Sequence, residues 1–294
     1  MTKSAGISGS IAALVAVATF GCRERPSVMH TRDDVSSSFG ADAGAPGAAS
    51  VSDPATEAGE AADPRLPPLE AASWLVPLPV EGFADALVAV PLGSRERRPL
   101  IVALHGNFDR PEWACGSWRE VAGPDPFILC LRGKERSDSP PGDARFTYAG
   151  SLSATKELNA ARIALHKRFG DRLLETNSVY AGFSLGAIVG VSIAVQTPAL
   201  YPRLALVEGG YESWNASTAR QYQKGGGERV LFVCSQRGCL SKARETAKLL
   251  RKAGVLAEVV DGGDHGHRYD GPIADATRSR WTWLNEELSH FGTE

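Results

Sequence analysis

The stretch Gly182-Phe183-Ser184-Leu185-Gly186 stands between two apolar runs, residues 177–181 before it and residues 185–195 after it. The first run predicts a buried strand and the second a buried helix. A G-x-S-x-G pentapeptide between a strand and a helix is typical of a tight turn that projects the serine Oγ above a sheet, with glycines that avoid Cβ clashes. Ser184 is therefore a candidate nucleophile.

On both sides of this turn, strand-like and helix-like segments alternate, which predicts an α/β fold. The predicted strands are mostly apolar, as buried parallel strands are; they are residues 84–90, 99–104, 127–131, 178–181, 204–207, 230–234 and 257–260. The predicted helices are residues 152–169, 185–196, 241–253 and 272–288. Together they fit one domain over residues 71–294 with no separate lid domain.

A serine hydroxyl needs a neighbouring imidazole to remove its proton before it becomes a good nucleophile. Two of the six histidines, His265 and His267, follow the last predicted strand, in a loop whose glycines permit a close approach to Ser184. The others lie in the N-terminal segment, after an early strand, in a helix and near the C terminus: His30, His105, His166 and His290. Either of the two loop histidines is a candidate base.

The order of these motifs resembles the α/β-hydrolase superfamily, in particular its small lidless esterases and its carboxylesterase or dienelactone-hydrolase-like members. The resemblance spans the folded domain and rests on Leu104-His105-Gly106-Asn107, the Ser184 turn and the late histidines. It implies an α/β-hydrolase fold, with a mostly parallel sheet of about seven to eight strands and helices on both faces. It also implies a serine esterase with His267 as the base, because Gly266-His267 resembles the family's glycine-histidine step. His265 is the alternative base.

The resemblance further implies an oxyanion hole built from backbone amides. One donor would be Leu185, directly after the nucleophile, and the other Asn107 or Phe108 in the turn after His105. His105 itself is expected to order that turn. Three tryptophans follow strands where the family forms its pocket, although packing against the core is the more common role: Trp113, Trp118 and Trp214.

The triad acid departs from the family pattern. Members usually carry it after the penultimate strand, but here that loop, from Cys234 to Cys239, contains neither Asp nor Glu. Some members place the acid one strand earlier, where this chain has Glu208, followed by Glu212. We expect Glu208 to orient the imidazole. If it is only a polar residue at a strand end, the alternative is a catalytically weak or inactive α/β-hydrolase-like binding domain tethered to the membrane.

Other functions have little support in the sequence. His265 and His267, with Asp264 or Asp270, could begin a metal site, but no second histidine cluster supplies further ligands, so we expect no metal. No cofactor is implied, because no phosphate-cradling loop or dinucleotide fingerprint stands at a strand-to-helix junction. The net charge of −2 gives no argument for nucleic-acid binding. The expected partner is a small-molecule ester or acyl substrate.

The N-terminal segment differs from the rest in composition. Residues 1–22 predict a signal peptide, with Lys3 ahead of the apolar run at residues 11–20. Its end resembles a bacterial lipobox, with Thr19 where leucine is usual, and this implies export and lipidation of Cys22. The protein would then be anchored to a membrane and face the periplasm or the cell exterior; an ordinary cleaved signal is the alternative. Residues 23–70 predict a disordered linker.

Four cysteines remain besides Cys22, namely Cys115, Cys130, Cys234 and Cys239. An even number in an exported chain favours disulfides over free thiols. Four cysteines allow three connectivities, and the sequence does not choose among them. The local options pair Cys115 with Cys130 and Cys234 with Cys239.

Overall fold

The computed structural model describes residues 66–286. The predicted signal peptide, the lipidation site Cys22 and the predicted linker up to residue 65 lie outside these residues. Within the described part, no helix combines the length and the apolar character needed to cross a membrane. Leu69, next to the predicted start of the domain, is buried, and its N–H donates to the carbonyl oxygen of Ser94 at 2.9 Å.

An eight-stranded sheet forms the centre of the fold. Its strands are β1 (Leu75–Leu78), β2 (Ala86–Ala89), β3 (Arg98–Leu104), β4 (Phe127–Cys130), β7 (Leu173–Phe183), β8 (Arg203–Val207), β9 (Arg229–Cys234) and β10 (Leu256–Asp261). Their order across the sheet is β1-β2-β4-β3-β7-β8-β9-β10. From β4 to β10 all neighbours pair in parallel, whereas β1 and β2 join antiparallel. A separate hairpin pairs β5 (Lys134–Glu135) with β6 (Phe146–Thr147).

Helices cover both faces of the sheet. They are α1 (Pro111–Ala122), α2 (Ser151–Phe169), α3 (Leu185–Gln196), α4 (Ala216–Lys224), α5 (Arg237–Lys252), α6 (Pro272–Arg278) and α7 (Trp281–Asn285). Alternate side chains of β3 enter opposite cores, so Val102 packs in the cluster with α2 to α5 and Ile101 in the cluster with α1, α6 and α7. This alternation is the period-2 geometry of a strand buried on both faces.

The predicted α/β fold is confirmed, and every predicted strand overlaps an observed one. β1, the β5–β6 hairpin, α1 and α4 were not predicted from the sequence. The single helix predicted for residues 272–288 was wrong in its described part, because α6 ends at Arg278 and α7 begins at Trp281. The helix predicted from residue 241 begins earlier, at Arg237.

Two disulfides connect secondary-structure elements, and both are the local pairings. Cys115–Cys130 joins α1 to β4, and Cys234–Cys239 joins the end of β9 to the first turn of α5. Disulfides persist in oxidising compartments, so these two are consistent with an exported protein.

The parallel strands bring their following loops to one edge. The carboxyl ends of β3, β7, β8, β9 and β10 lie side by side, in that spatial order. Ligand sites in open α/β sheets lie beyond the carboxyl ends of the strands. This edge is therefore where the candidate residues can meet.

Candidate active site at the carboxyl edge of the sheet

Ser184 occupies the strained turn between β7 and α3. Its backbone has φ 50° and ψ −113°, and its N–H donates to the carbonyl oxygen of Val207 at 2.9 Å. A non-glycine residue in such a region costs on the order of 1–3 kcal/mol and persists only where its surroundings enforce it. A Cβ at Gly182 would lie 2.7 Å from Ala187 N, and one at Gly186 would overlap Leu104 O. The two glycines therefore allow the tight turn that the sequence motif predicts.

His267 lies against this serine. Its Nε2 is 2.8 Å from Ser184 Oγ, and 44% of its side chain is exposed. The imidazole packs on Phe183 with ring centroids 4.9 Å apart, and Phe183 in turn stacks on Tyr269 at 4.2 Å. Burial raises the pKa of Tyr269 well above its ordinary value, and the nearby charge of Asp109 raises it further. Tyr269 is thus a neutral phenol that stacks on Phe183, and Phe183 in turn packs against His267.

Glu208 faces the other side of the imidazole. Its side chain is buried, and its Oε2 lies 3.6 Å from Nδ1 of His267. Its Oε1 accepts hydrogen bonds from the N–H groups of Ser235 and Gln236. Within residues 66–286, Oε2 has no hydrogen-bond partner. One carboxylate oxygen is therefore fixed by the backbone, and the other faces the histidine.

A strained backbone also places Glu208. Its φ is 52°, and its N–H donates to the carbonyl oxygen of Val233 at 3.0 Å. Gly209 lies so close to the turn that carries Ser184 that a Cβ at Gly209 would be 2.6 Å from Ser184 O. The turns after β7 and β8 are consequently in direct contact.

The alternative residues lie elsewhere. His265 is exposed, its N–H donates to Ser235 Oγ at 2.8 Å, and no described contact joins its ring to Ser184. Glu212 pairs with Lys242 on the surface. The structure therefore brings together Ser184, His267 and Glu208.

The metal alternative has no geometric support among residues 66–286, where no group of three or more His, Cys, Asp or Glu is arranged to hold an ion. Asp270, one of the oxygen ligands considered, instead pairs with Arg268 at 2.6 Å. That hydrogen bond lowers the pKa of Asp270.

The expected oxyanion-hole donors separate into two groups. Within the described residues, neither Leu185 N–H, at the start of α3, nor Asn107 N–H has a hydrogen-bond acceptor. The Phe108 N–H, in contrast, donates to Phe146 O at 3.0 Å, so the expectation that Phe108 could serve is corrected. The turn itself lies next to Ser184, because a Cβ at Gly106 would be 3.4 Å from Ser184 Cβ.

His105 orders this turn. It is fully buried, with Nδ1 2.7 Å from Gly106 O and Nε2 2.9 Å from Arg132 O, and it stacks on Tyr148. Both ring nitrogens are occupied by backbone carbonyls, so His105 is not placed to act as a base.

Two polar residues for which the sequence predicted no role, Asp109 and Arg136, complete the turn. Asp109 is buried, and its Oδ2 accepts from Gly106 N–H at 3.0 Å. Arg136 donates to Asn107 Oδ1 at 2.9 Å and is itself held by Asp138. The position of Asp109, three residues after Gly106, was the only sequence signal for either role.

A cavity of about 330 Å³ opens beside these groups. Its lining includes four aromatic side chains and the histidine, which come from the turn after β3, from α1, from the end of β7 and from the loop before α6: Phe108, Trp113, Phe183, Tyr269 and His267. The Arg145 guanidinium lies 4.2 Å from the centroid of the Trp113 ring, a cation–π contact that holds this wall. Trp118 and Trp214 do not line the cavity, because each is buried in one of the two cores.

Solved structures of esterases and serine hydrolases share this architecture. Est1E from Butyrivibrio proteoclasticus aligns over 74% of this chain and 100% of its own, with 12% identity and a TM-score of 0.53. An S-formylglutathione hydrolase from Agrobacterium tumefaciens aligns over 73% and 95%, with 15% identity and a TM-score of 0.52. FphF, a fluorophosphonate-binding serine hydrolase of Staphylococcus aureus, aligns over 72% and 98%, with 11% identity and a TM-score of 0.52.

At these identities the likeness establishes the fold, and the chain has the α/β-hydrolase fold. No protein-family model matches the chain, and no curated protein matches it in sequence.

Proposed function

We propose that the protein is a serine hydrolase that cleaves an ester or related acyl bond, with Ser184 as nucleophile, His267 as base and Glu208 as acid. The observation that carries this proposal is the 2.8 Å separation of Ser184 Oγ and His267 Nε2, on a serine held in a strained strand-to-helix turn. A nucleophile within hydrogen-bond reach of a base is the general signature of this chemistry. The α/β-hydrolase fold supports the same reaction class.

In the acylation step, Ser184 Oγ attacks the substrate carbonyl carbon while its proton passes to His267 Nε2. The carbonyl oxygen becomes an oxyanion, which the Leu185 and Asn107 N–H groups stabilise. His267 then gives its proton to the leaving alkoxide, and the ester bond breaks to leave an acyl-enzyme. Water attacks this intermediate with His267 again as base, which releases the acid and restores Ser184.

Glu208 stabilises the imidazolium that forms in each step and holds the ring with Nε2 toward Ser184. Its Oε1 is already engaged by two backbone N–H groups, so the carboxylate cannot easily rotate away from the ring. The 3.6 Å gap to Nδ1 exceeds an ordinary hydrogen bond. Catalytic hydrogen bonds are often long without substrate and shorten in the complex.

The cavity suggests the size of the acyl group. At about 330 Å³ it lies near the lower end of the range of about 300–1,000 Å³ that ligand pockets span. Its lining combines four aromatic side chains with polar and charged ones, among them Asn107, Asp109, Arg268 and Asp270. We therefore propose a small-molecule ester with a short acyl chain or a single aromatic ring as the substrate.

Exported location and a lipid anchor at Cys22 also remain proposals, supported by the lipobox-like sequence and the two disulfides. Metabolic labelling with a fatty-acid analogue tests the anchor. Wild-type protein should incorporate the label and sediment with membranes, and Cys22→Ser should do neither. Equal labelling of both would contradict the anchor and leave the hydrolase proposal untouched.

The activity is tested by hydrolysis of p-nitrophenyl acetate, butyrate and palmitate by the full chain, with covalent labelling by a fluorophosphonate probe. We expect turnover of the two short esters and little of palmitate. Ser184→Ala should abolish both turnover and labelling. Ser241→Ala, on the exposed surface of α5, is the matched control and should behave as wild type. A wild-type protein that neither turns over nor labels above Ser184→Ala would instead be the inactive binding domain.

A further inference from the structure

The loop after β9 lacks a carboxylate, yet it holds the carboxylate of Glu208. The N–H groups of Ser235 and Gln236, the first two residues after β9, both donate to Glu208 Oε1. Ser235 is almost fully buried, with 4% of its surface exposed. Glu208 therefore depends on the backbone of a loop that is separate from its own strand.

The same loop contacts the segment that carries the base. Ser235 Oγ accepts a hydrogen bond from His265 N–H at 2.8 Å, and Cys234 O accepts one from Gly262 N–H at 2.8 Å. Both donors belong to the loop between β10 and α6, which also carries His267. Ser235 thus touches the acid through its N–H and the base loop through its hydroxyl.

The Cys234–Cys239 disulfide closes this loop onto α5. Gln236 is exposed, so side-chain packing does little to fix the short link between β9 and α5; Arg237 and Gly238, also exposed, already belong to the first turn of α5. Both cysteines, in contrast, are buried in the core cluster. The disulfide therefore ties the exposed stretch to the core at both ends.

We infer that Ser235 is a positioning residue that aligns the Glu208 carboxylate with the loop of His267, and that the Cys234–Cys239 disulfide keeps it in place. This inference rests on the proposed function. Neither Ser235 nor the cysteines touch the reacting atoms. Their loss displaces the acid and the base relative to the nucleophile, and a displacement of about 1 Å can cost about 10²-fold in rate.

The first test compares Ser235→Ala with Ser235→Thr on p-nitrophenyl butyrate. Alanine keeps the N–H to Glu208 but removes the acceptor for His265 N–H, whereas threonine keeps both. We expect alanine to lower kcat by about 10-fold, within the range that small misplacements produce, with KM little changed. Threonine should restore most of the loss. Equal kcat for alanine and wild type would overturn the role of Ser235.

The second test removes each disulfide separately. Cys234→Ser/Cys239→Ser should lower kcat by about 10- to 100-fold while near-UV circular dichroism shows an intact fold. Cys115→Ser/Cys130→Ser is the matched control, because it removes a disulfide between α1 and β4, away from the acid. It should lower Tm but leave kcat close to that of wild type. An equal fall in kcat for both pairs would mean that the effect is general destabilisation, and the inference would be wrong.

A double-mutant cycle separates this inference from the proposed function. If the disulfide acts through the acid, its removal should cost little further rate in a Glu208→Gln background. If the losses in kcat from removing the disulfide and from Glu208→Gln are fully additive, the inference is wrong, even where an inactive Ser184→Ala variant supports the proposed function. If Ser184→Ala retains wild-type activity, the proposed function itself fails.

Discussion

Oε2 of Glu208 and Nδ1 of His267 face each other at 3.6 Å, with the carboxylate buried and the imidazole half exposed. Glu208 directly follows β8, one strand before the loop where the sequence resemblance implies the acid. Because β8 lies next to β7, Glu208 and Ser184 follow adjacent strands. The histidine reaches both of them from the loop after β10.

Replacing Glu208 by glutamine tests the acid. Glutamine keeps an oxygen for the N–H groups of Ser235 and Gln236, so the fold should persist, but it removes the charge that stabilises the imidazolium. We expect kcat to fall by up to about 10⁴-fold. Steady-state kinetics with p-nitrophenyl butyrate measure it. Glu212→Gln, which removes a surface carboxylate paired with Lys242, is the control and should not change kcat.

The two loop histidines should differ sharply. His267→Ala removes the group 2.8 Å from Ser184 Oγ and should lower kcat by about 10⁴- to 10⁶-fold, as loss of a triad base does. His265→Ala keeps the backbone N–H that bonds to Ser235 and should retain most activity. Parallel kinetics on the two variants decide the matter. A reversed order of activities would assign the base to His265.

The glycines of the nucleophile turn should be irreplaceable for steric reasons. Gly186→Ala would place a Cβ into Leu104 O and 2.7 Å from His105 O, so we expect a large fall in Tm or insoluble protein. Gly116→Ala is the matched control, because a Cβ there, within α1, meets nothing within 4 Å. That change should stabilise the fold by about 0.5–1 kcal/mol, the helix penalty of glycine relative to alanine. Thermal unfolding of the wild type and of both variants measures these changes in Tm.

Glu157 should make stability depend on pH. Burial raises its pKa above the ordinary value, although hydrogen bonds from the Gly133 and Arg132 N–H groups lower it in part. The folded state therefore holds this proton more tightly than the unfolded state. The resulting stability is present below the unfolded-state pKa and is lost as pH rises through the folded-state pKa.

Glu157→Gln removes this titration and keeps an oxygen for Gly133 N–H. The Tm of the variant minus that of the wild type should therefore grow as the pH rises from about 4 to 7. Thermal unfolding at a series of pH values measures it. A difference that stays constant or shrinks with rising pH would show that Glu157 is not the titrating group.

Local patterns were enough to predict the core strands and the nucleophile turn, because buried parallel strands are continuous apolar runs. They were weaker for α4, which is polar, although its start has a capping box: Asn215 accepts from the Ser217 and Thr218 N–H groups, and Thr218 accepts from Asn215 N–H. A capping box read at this position would have predicted the helix.

Long-range contacts account for what the sequence could not show about the site. The Phe108 N–H donates to Phe146 O, which belongs to a strand far along the chain, and no local sequence pattern predicts that hydrogen bond. The choice between His265 and His267 likewise depends on how the loop folds. Glu208 was predictable as a candidate because it directly follows the strand predicted for residues 204–207, but its contact with Ser235 requires β9 beside β8.

The close approach of Gly209 to the carbonyl of Ser184, together with the hydrogen bond from Ser184 N–H to Val207 O, joins the proposed nucleophile and acid through their main chains. The backbones of Ser184 and Glu208 are therefore held to each other at the centre of the sheet. His267 lies on an exposed loop, which hydrogen bonds from Gly262 N–H to Cys234 O and from His265 N–H to Ser235 Oγ connect to the end of β9. On heating, these loop contacts should break before the sheet unfolds, and the proposed base should then separate from the other two groups.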